Sequence, residues 1–486
     1  MVKTFLALLS TTAMQGAYAQ APKEITLSQK TVAELVLKQG PKTKEVNLRY
    51  QTLRLTPVQA LSAYDWNLAI ESGFEYDKSV GLLQTSDPVN SKYERYKTTA
   101  SVQKNFTSGT LLGIELSRLS QKVDTEGFAS NPPPAQQTLD SAGLILEQAL
   151  LGNFFGVADR GTVNAAELTY EAQTVARANE LEDVVLDAIR QFWNSYVAQE
   201  SFKEAVNSRD RYKKLVDAVK RKTSLGYSNP GDLPQVQAEF ETREQRVKTT
   251  SRDYLNAVEN LLTLLNLEPG MNVKFEIPND IPAVPKLVEK KVEELRLIRA
   301  QKLRVDAAKE SLVAAESLSY PDLDFVGRVY TTGVDEDAGD SYSEVVSGTQ
   351  PKYYMGLRFR YYFGSDLQNE TVINRKMTKD LEETRLHRAL LEAQDLEFQA
   401  ERKVHAAYAI ATSTKKQREF RERASQELNR SYNQGRTDIQ ILITAMNNYF
   451  DSEVQYFRSL GDYAIALNEW AAARDELIPD ETASGK

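Results

Sequence analysis

The sequence predicts a mainly α-helical chain that also carries membrane-spanning β-strands, laid out as two copies of one plan. Three observations lead there. Two long stretches repeat small and apolar side chains at spacings of three and four; aromatic-rich segments alternate apolar with polar residues; and glycine (23) and proline (16) are scarce among 486 residues.

Composition removes other classes first. With no cysteine and two histidines, the chain has no disulfide framework, thiolate zinc site, iron–sulfur cluster or thiol nucleophile, and little for metal or acid–base chemistry. His387 and His405 share a helical face but stand about 27 Å apart at 1.5 Å per residue, too far to hold one metal. The acidic run from Asp335 to Asp340, ending at Glu344, has its glycine and glutamate misplaced for a calcium loop, so it reads as a solvated loop between two strands. No phosphate-binding loop, dinucleotide fingerprint, zinc-protease helix or nucleophile elbow occurs, which leaves no enzyme and no cofactor to expect. A net charge of −8 has the wrong sign for binding nucleic acid.

The elements follow in order. Met1-Val2-Lys3, the apolar run Phe5 to Leu9 and the small-residue end Ala17-Tyr18-Ala19 read as an export signal over residues 1–19. No later segment has the length of apolar sequence that a spanning helix needs, so entry into a membrane requires a closed β-barrel. The first copy, residues 20–285, opens with a helical segment from Thr31 to Ser62. From Trp66, apolar Leu68, Ile70, Phe74 and Tyr76 alternate with Asn67, Glu71, Glu75 and Asp77, as in a strand with one apolar face. A helix from Ala165 to Lys222 follows, with Leu168, Ala172, Val175, Val185, Ala188, Phe192 and Tyr196 on one stripe. A tip at about 223–234 turns the chain into a return helix ending near Leu267. The proline-rich linker 268–285 lacks helical period.

The second copy, residues 286–486, repeats this order. A helix from Val288 to Ser317 leads to strands 323–332 and 352–363, the latter alternating Tyr353, Met355, Leu357, Phe359, Tyr361 and Phe363 with polar residues. Then come a helix from Thr371 to Arg430, a tip at about 431–438, a return helix to Leu477 and a short tail. The outgoing helices match in length, but the first strand region is about 44 residues longer than the second. We read the excess as an extra hairpin near 98–120, around the turn Thr107-Ser108-Gly109. Four or six strands do not close a barrel alone, so strands that enter a bilayer require an oligomer.

This doubled order of strands and helical hairpins resembles the TolC family of outer-membrane efflux proteins. Local motifs agree. Leu225-Gly226-Tyr227 leads to Asp232, Gln235 and Ala238; Tyr432-Asn433-Gln434-Gly435 leads to Asp438, Leu442 and Ala445. The segments Glu147 to Gly152 and Tyr361 to Gly364 resemble the family's strand-to-helix junctions. The resemblance implies a homotrimer with an outer-membrane β-barrel set in lipid and a long α-helical barrel crossing the periplasm. Four strands per chain give twelve in the barrel; the extra hairpin raises the count to eighteen or lies outside the bilayer. The linker and the chain's end form a belt around the helices. The implied role is a passive exit duct of efflux pumps and type I secretion systems, without catalysis. A periplasmic adaptor protein contacts the tips at Leu225, Gly226, Tyr227 and Ser228 and at Gln434, Gly435, Arg436 and Thr437, linking the duct to an inner-membrane ABC or proton-driven pump.

The family's closed aperture uses a tyrosine and an arginine near the second tip and two acidic residues one turn apart. Tyr432 matches the tyrosine. Arg436 is displaced, with Thr437 in the matching place, and Ile441 and Thr444 stand where the acidic pair falls. Asp438, one turn earlier, is the residue expected to supply an acidic ring at the aperture, with Asp232 as the candidate on the other tip. The alternative is a secreted periplasmic coiled-coil protein that binds partners through its helices and conducts nothing.

Overall fold

The computed structural model describes residues 24–82, 88–126, 136–278, 280–286, 290–364 and 366–478. The expected export signal lies outside the described residues. In chain order the elements are β1 (Glu24–Leu27), α1 (Gln29–Gln39), α2 (Pro41–Thr52), α3 (Leu55–Ser62), β2 (Trp66–Leu82), β3 (Pro88–Phe106), β4 (Thr110–Glu126) and β5 (Gln136–Ala149). There follow α4 (Val157–Ser224), α5 (Asp232–Leu264), β6 (Asn272–Phe275), α6 (Arg296–Ser319), β7 (Asp322–Asp335), α7 (Ala338–Ser347), β8 (Pro351–Arg360), α8 (Asp366–Asn433) and α9 (Ile439–Ala473).

The chain divides into two units. The first holds residues 1–47, 180–289 and 395–479, and the second holds 48–179, 290–394 and 480–486. The helices α4 and α8, each of 68 residues, contribute to both.

The second unit contains one six-stranded antiparallel sheet in the order β2-β3-β4-β5-β7-β8. Its register explains the sequence pattern. A single lateral row runs Leu68, Val102, Ile114, Leu144, Val329, Tyr353 across all the strands. The next row, on the opposite face, runs Ala69, Ser101, Glu115, Gly143, Tyr330, Lys352. One face is therefore apolar and the other largely polar, because successive residues of a strand point to opposite sides. The apolar row is exposed, from 37% at Val102 to 73% at Tyr353, which is the reverse of a soluble sheet resting on its own core. The inserted hairpin β3–β4 turns at Gly109, with φ of 69°, and continues the ladder, so it belongs to this sheet. At the end of β5 the Asn153 side-chain oxygen accepts from the backbone N–H groups of Ala158 and Asp159 at 2.9 and 3.2 Å, capping the start of α4.

In the first unit α4, α5, α8 and α9 pack through two apolar clusters. One gathers Tyr212, Leu215, Val219, Val236, Tyr432, Ile439, Leu442, Ile443 and Met446; the other gathers Ala400, Val404, Ala411, Tyr463, Ala466 and Trp470. Alanine at the crossing positions of α8 allows the close approach that its stripe of small residues indicates. Of the stripe on α4, Ala172, Val185, Ala188 and Phe192 are fully buried.

Two expectations are corrected. The segment Thr31 to Ser62 is not one helix: α1 stops at Gly40, before Pro41 begins α2, and a turn at Leu53-Arg54 precedes α3. Within the linker 268–285, β6 pairs in parallel with β1, Glu24 opposite Asn272 and Leu27 opposite Phe275. The acidic run after Asp335 is not a plain loop. Asp337 accepts from the backbone N–H of Gly339 at 2.7 Å and so starts α7.

Candidate functional site: the hairpin tips

Both tips are built alike on their outgoing side. The N–H of Tyr227 bonds to the carbonyl of Lys222 at 2.8 Å and the N–H of Gly226 to that of Thr223 at 3.1 Å. In the second tip Arg436 bonds to Ser431 at 2.9 Å and Gly435 to Tyr432 at 3.0 Å. This pair of bonds closes a helix through a left-handed residue, and Gly226 and Gly435 have φ of 78° and 72°. A Cβ on either glycine meets nothing within 4 Å, so the requirement for glycine is conformational and not steric.

The incoming sides differ. Asp438 caps α9, its carboxylate accepting from the N–H of Gln440 at 2.7 Å. Asp232 is the first residue of α5 and reaches back into the tip, accepting from the Ser228 hydroxyl at 2.9 Å and the Asn229 N–H at 3.0 Å. Each carboxylate sits at the positive end of a helix dipole, where negative charge is favoured.

Lys222 joins the two hairpins. Its ammonium donates to the Tyr432 carbonyl at 2.8 Å and lies 3.8 Å from the centroid of the Tyr432 ring. Gln235 and Gln440 bond side chain to side chain between α5 and α9. The Tyr432 ring is only 6% exposed, and burial, followed by the charges of Asp232 and Asp438, raises its pKa. Three of the four residues expected at the aperture, Tyr432, Asp232 and Asp438, are thus electrostatic neighbours. Arg436 is exposed, as are Gln434 and Gly435, while Thr437 is half-buried. On the first tip Leu225 and Tyr227 are 69% and 81% exposed, and Ser228 is half-buried.

Below the tips a polar network crosses the bundle. The Tyr212 hydroxyl donates to Asn447 Oδ1 at 2.5 Å, and Arg243 donates to the same oxygen at 2.7 Å and to Glu239 at 3.1 Å. The Arg243 guanidinium also lies over the rings of Tyr212 and Phe450 at 5.2 and 5.6 Å. Burial pushes the Tyr212 hydroxyl up to about 12. One level further, the Tyr449 hydroxyl donates to Glu453 at 2.8 Å with Arg418 at 3.7 Å, and burial raises the Glu453 carboxyl above its ordinary range. Ile441 and Thr444, at the places of the missing acidic pair, line a groove of about 310 Å³ between α8 and α9.

Sequence reasoning missed Lys222, Gln235, Asn447 and Arg243 as groups that tie the hairpins together. Their partners are far away along the chain, 210 positions for Lys222 and Tyr432, and no local pattern signals them. His387 and His405 are exposed, and among the described residues no group of three or more His, Cys, Asp or Glu side chains is placed to hold a metal ion.

No family model matches the sequence. The cobalt-zinc-cadmium resistance protein CzcC of Cupriavidus metallidurans is 27% identical over 165 residues, a match that spans 33% of this chain and 39% of that protein. Among solved structures, CusC, described as forming a transmembrane channel, superposes with a TM-score of 0.69 at 12% identity, covering 97% of this chain and 98% of CusC. The outer-membrane channel OprN gives 0.68 at 16% identity, covering 92% of this chain and 89% of OprN. The CmeC outer-membrane channel of Campylobacter jejuni gives 0.68 at 14% identity, covering 94% and 87%. Likeness of this extent at such identities establishes the fold: the chain has the TolC-like fold of outer-membrane channels.

Proposed function

We propose, from a chain with the fold of outer-membrane efflux channels, that this protein is the exit duct of a trans-envelope export assembly. Three copies contribute their six-stranded sheets to an eighteen-stranded outer-membrane barrel and their long helices to a periplasmic helical barrel. The protein conducts passively and is not an enzyme. An inner-membrane pump supplies the energy, and a periplasmic adaptor contacts the exposed tip residues Leu225, Tyr227 and Arg436.

The observation that carries this reading is the exposed apolar row Leu68 to Tyr353, set against a polar opposite face. That polar face holds an ionic cluster: Glu147 accepts from Arg358 at 2.7 Å and from Arg328 at 3.4 Å, and Arg358 also reaches Asp324 at 3.0 Å. In lipid, the apolar row needs no further cover and the charged face lines water.

Fractionation and planar-bilayer recording test the proposal. The expected result is a detergent-extracted outer-membrane trimer that forms ion-conducting pores. A soluble periplasmic monomer without conductance would establish the coiled-coil alternative instead. Crosslinking from Tyr227→Cys or Arg436→Cys identifies the adaptor, and the likeness to CzcC makes cobalt, zinc and cadmium the first cargo to test.

A further inference from the structure

The helix α7 lies on the apolar face of the sheet. Gly333 of β7 points at it, since a Cβ there would collide with the Ser341 carbonyl, and the Ser341 hydroxyl donates to the Gly333 carbonyl at 3.0 Å. Gly333 stands opposite Asp140, and Asp140 opposite Arg118. Arg118 follows Leu116 by two residues and therefore shares the face of Ile114 and Leu116.

On β4 and β5 that face changes character at this level. Past Leu116 and Ala142 the next residues are Arg118 and Asp140, which form a two-pronged ion pair at 2.7 and 3.0 Å. A carboxylate facing acyl chains is costly. Here α7 covers it: Asp140 is 5% exposed, and Arg118 donates onward to the Ala338 carbonyl at 3.3 Å, tying down the first turn of the helix. The outward side of α7 carries Tyr342 and Val346, one turn apart and 59% and 69% exposed. The acidic residues Asp337 and Asp340 at its N-terminal end are exposed.

We propose that α7 is an interfacial anchor, lying at the boundary between headgroups and acyl chains of the outer leaflet with Tyr342 and Val346 in contact with lipid. This rests on reading the sheet as membrane-spanning. The occupant follows from continuity: the apolar row below is lipid-facing in that reading, and α7 extends the same surface over a polar patch. An arginine left half exposed beside it fits the same depth, because arginine reaches headgroups from the edge of an apolar band. The Arg118–Asp140 pair acts as the latch that holds the helix down.

The absence of cysteine allows single-site probes. Full-length Val346→Cys, Tyr342→Cys, Leu357→Cys and Glu336→Cys proteins are labelled with an environment-sensitive fluorophore. They are reconstituted into phosphatidylethanolamine–phosphatidylglycerol vesicles containing a lipid spin-labelled near its headgroup. The expected result is several-fold stronger quenching by the lipid label at positions 346 and 342 than at 336, with aqueous iodide showing the reverse order. In an Arg118→Ala background, position 346 gains iodide quenching while 357 keeps its lipid signal. If 346 and 342 respond to iodide as 336 does while 357 is quenched by lipid, α7 stands in water and the anchor is refuted. If 357 also fails to respond to lipid, the membrane reading of the sheet falls and the anchor falls with it.

Discussion

Lys222 and Tyr432 close the two hairpin tips against each other: the ammonium of one caps the face of the other's ring at 3.8 Å and bonds its carbonyl at 2.8 Å. A buried ring and a charged donor make this worth about 1–3 kcal/mol. Lys222→Met is expected to speed amide exchange several-fold over residues 432–438 and to leave the sheet unchanged. Exchange at wild-type rates would show that the apolar cluster beneath holds the tips without the lysine.

Substitution separates the observed helix cap made by Asp438 from the aperture charge proposed for it. As the cap of α9 it needs only an oxygen, so Asp438→Asn keeps the helix start while Asp438→Ala costs about 1 kcal/mol. In the proposed duct, where three copies would bring Asp438 into a ring of negative charge, the charge itself is needed. Block of single-channel current by multivalent cations is therefore expected to weaken in both variants, and in Asp232→Asn, with thermal stability falling only in Asp438→Ala. Tight block retained by both Asp→Asn variants would remove these residues from the aperture.

Much of this was written in the sequence, and some was not. The stripe Ala172, Val185, Ala188, Phe192 and the alternation from Trp66 are periodic over enough residues to declare helix and strand. The pairing of β1 with β6 is four residues on each side with some 250 positions between, too short for a period and too distant for a turn signal. α7 was hidden because its acidic start resembles solvated loop, although Asp337 before Ala338-Gly339 is a readable cap. The break at Gly40-Pro41 was also readable, since proline favours the first turn of a new helix. The tips' glycines were legible from their neighbours; their link through Lys222 belongs to tertiary packing alone.

Glu453 gives a pH dependence of known sign. Burial raises its carboxyl in the folded chain above the ordinary 4.5, outweighing the Tyr449 hydrogen bond and the Arg418 charge. The folded state then holds the proton more firmly than the unfolded state, so this group's contribution lowers stability as pH rises from 4.5 through the raised value. Glu453→Gln is expected to remove that part of the slope. Unfolding curves for the two proteins that stay parallel across this range would contradict the assignment.

Glu147 holds two guanidinium groups, those of Arg358 and Arg328, on the polar face of the sheet. Glu147→Gln removes the charge-neutralising contact to Arg328 at 3.4 Å and makes the polar face more positive. The reversal potential in a salt gradient is expected to move toward anion preference. An unchanged potential would place this cluster away from the conducting path.

The open space around Gly226 and Gly435 carries a consequence for engineering. Each turn is closed by backbone bonds, and Leu225, Tyr227 and Arg436 project from it without being packed into the core. Those side chains can be exchanged as a set without rebuilding the helices that present them. Grafting a foreign tip sequence between Thr223 and Asp232, with the glycine kept, is accordingly a route to redirect the proposed duct to a different pump.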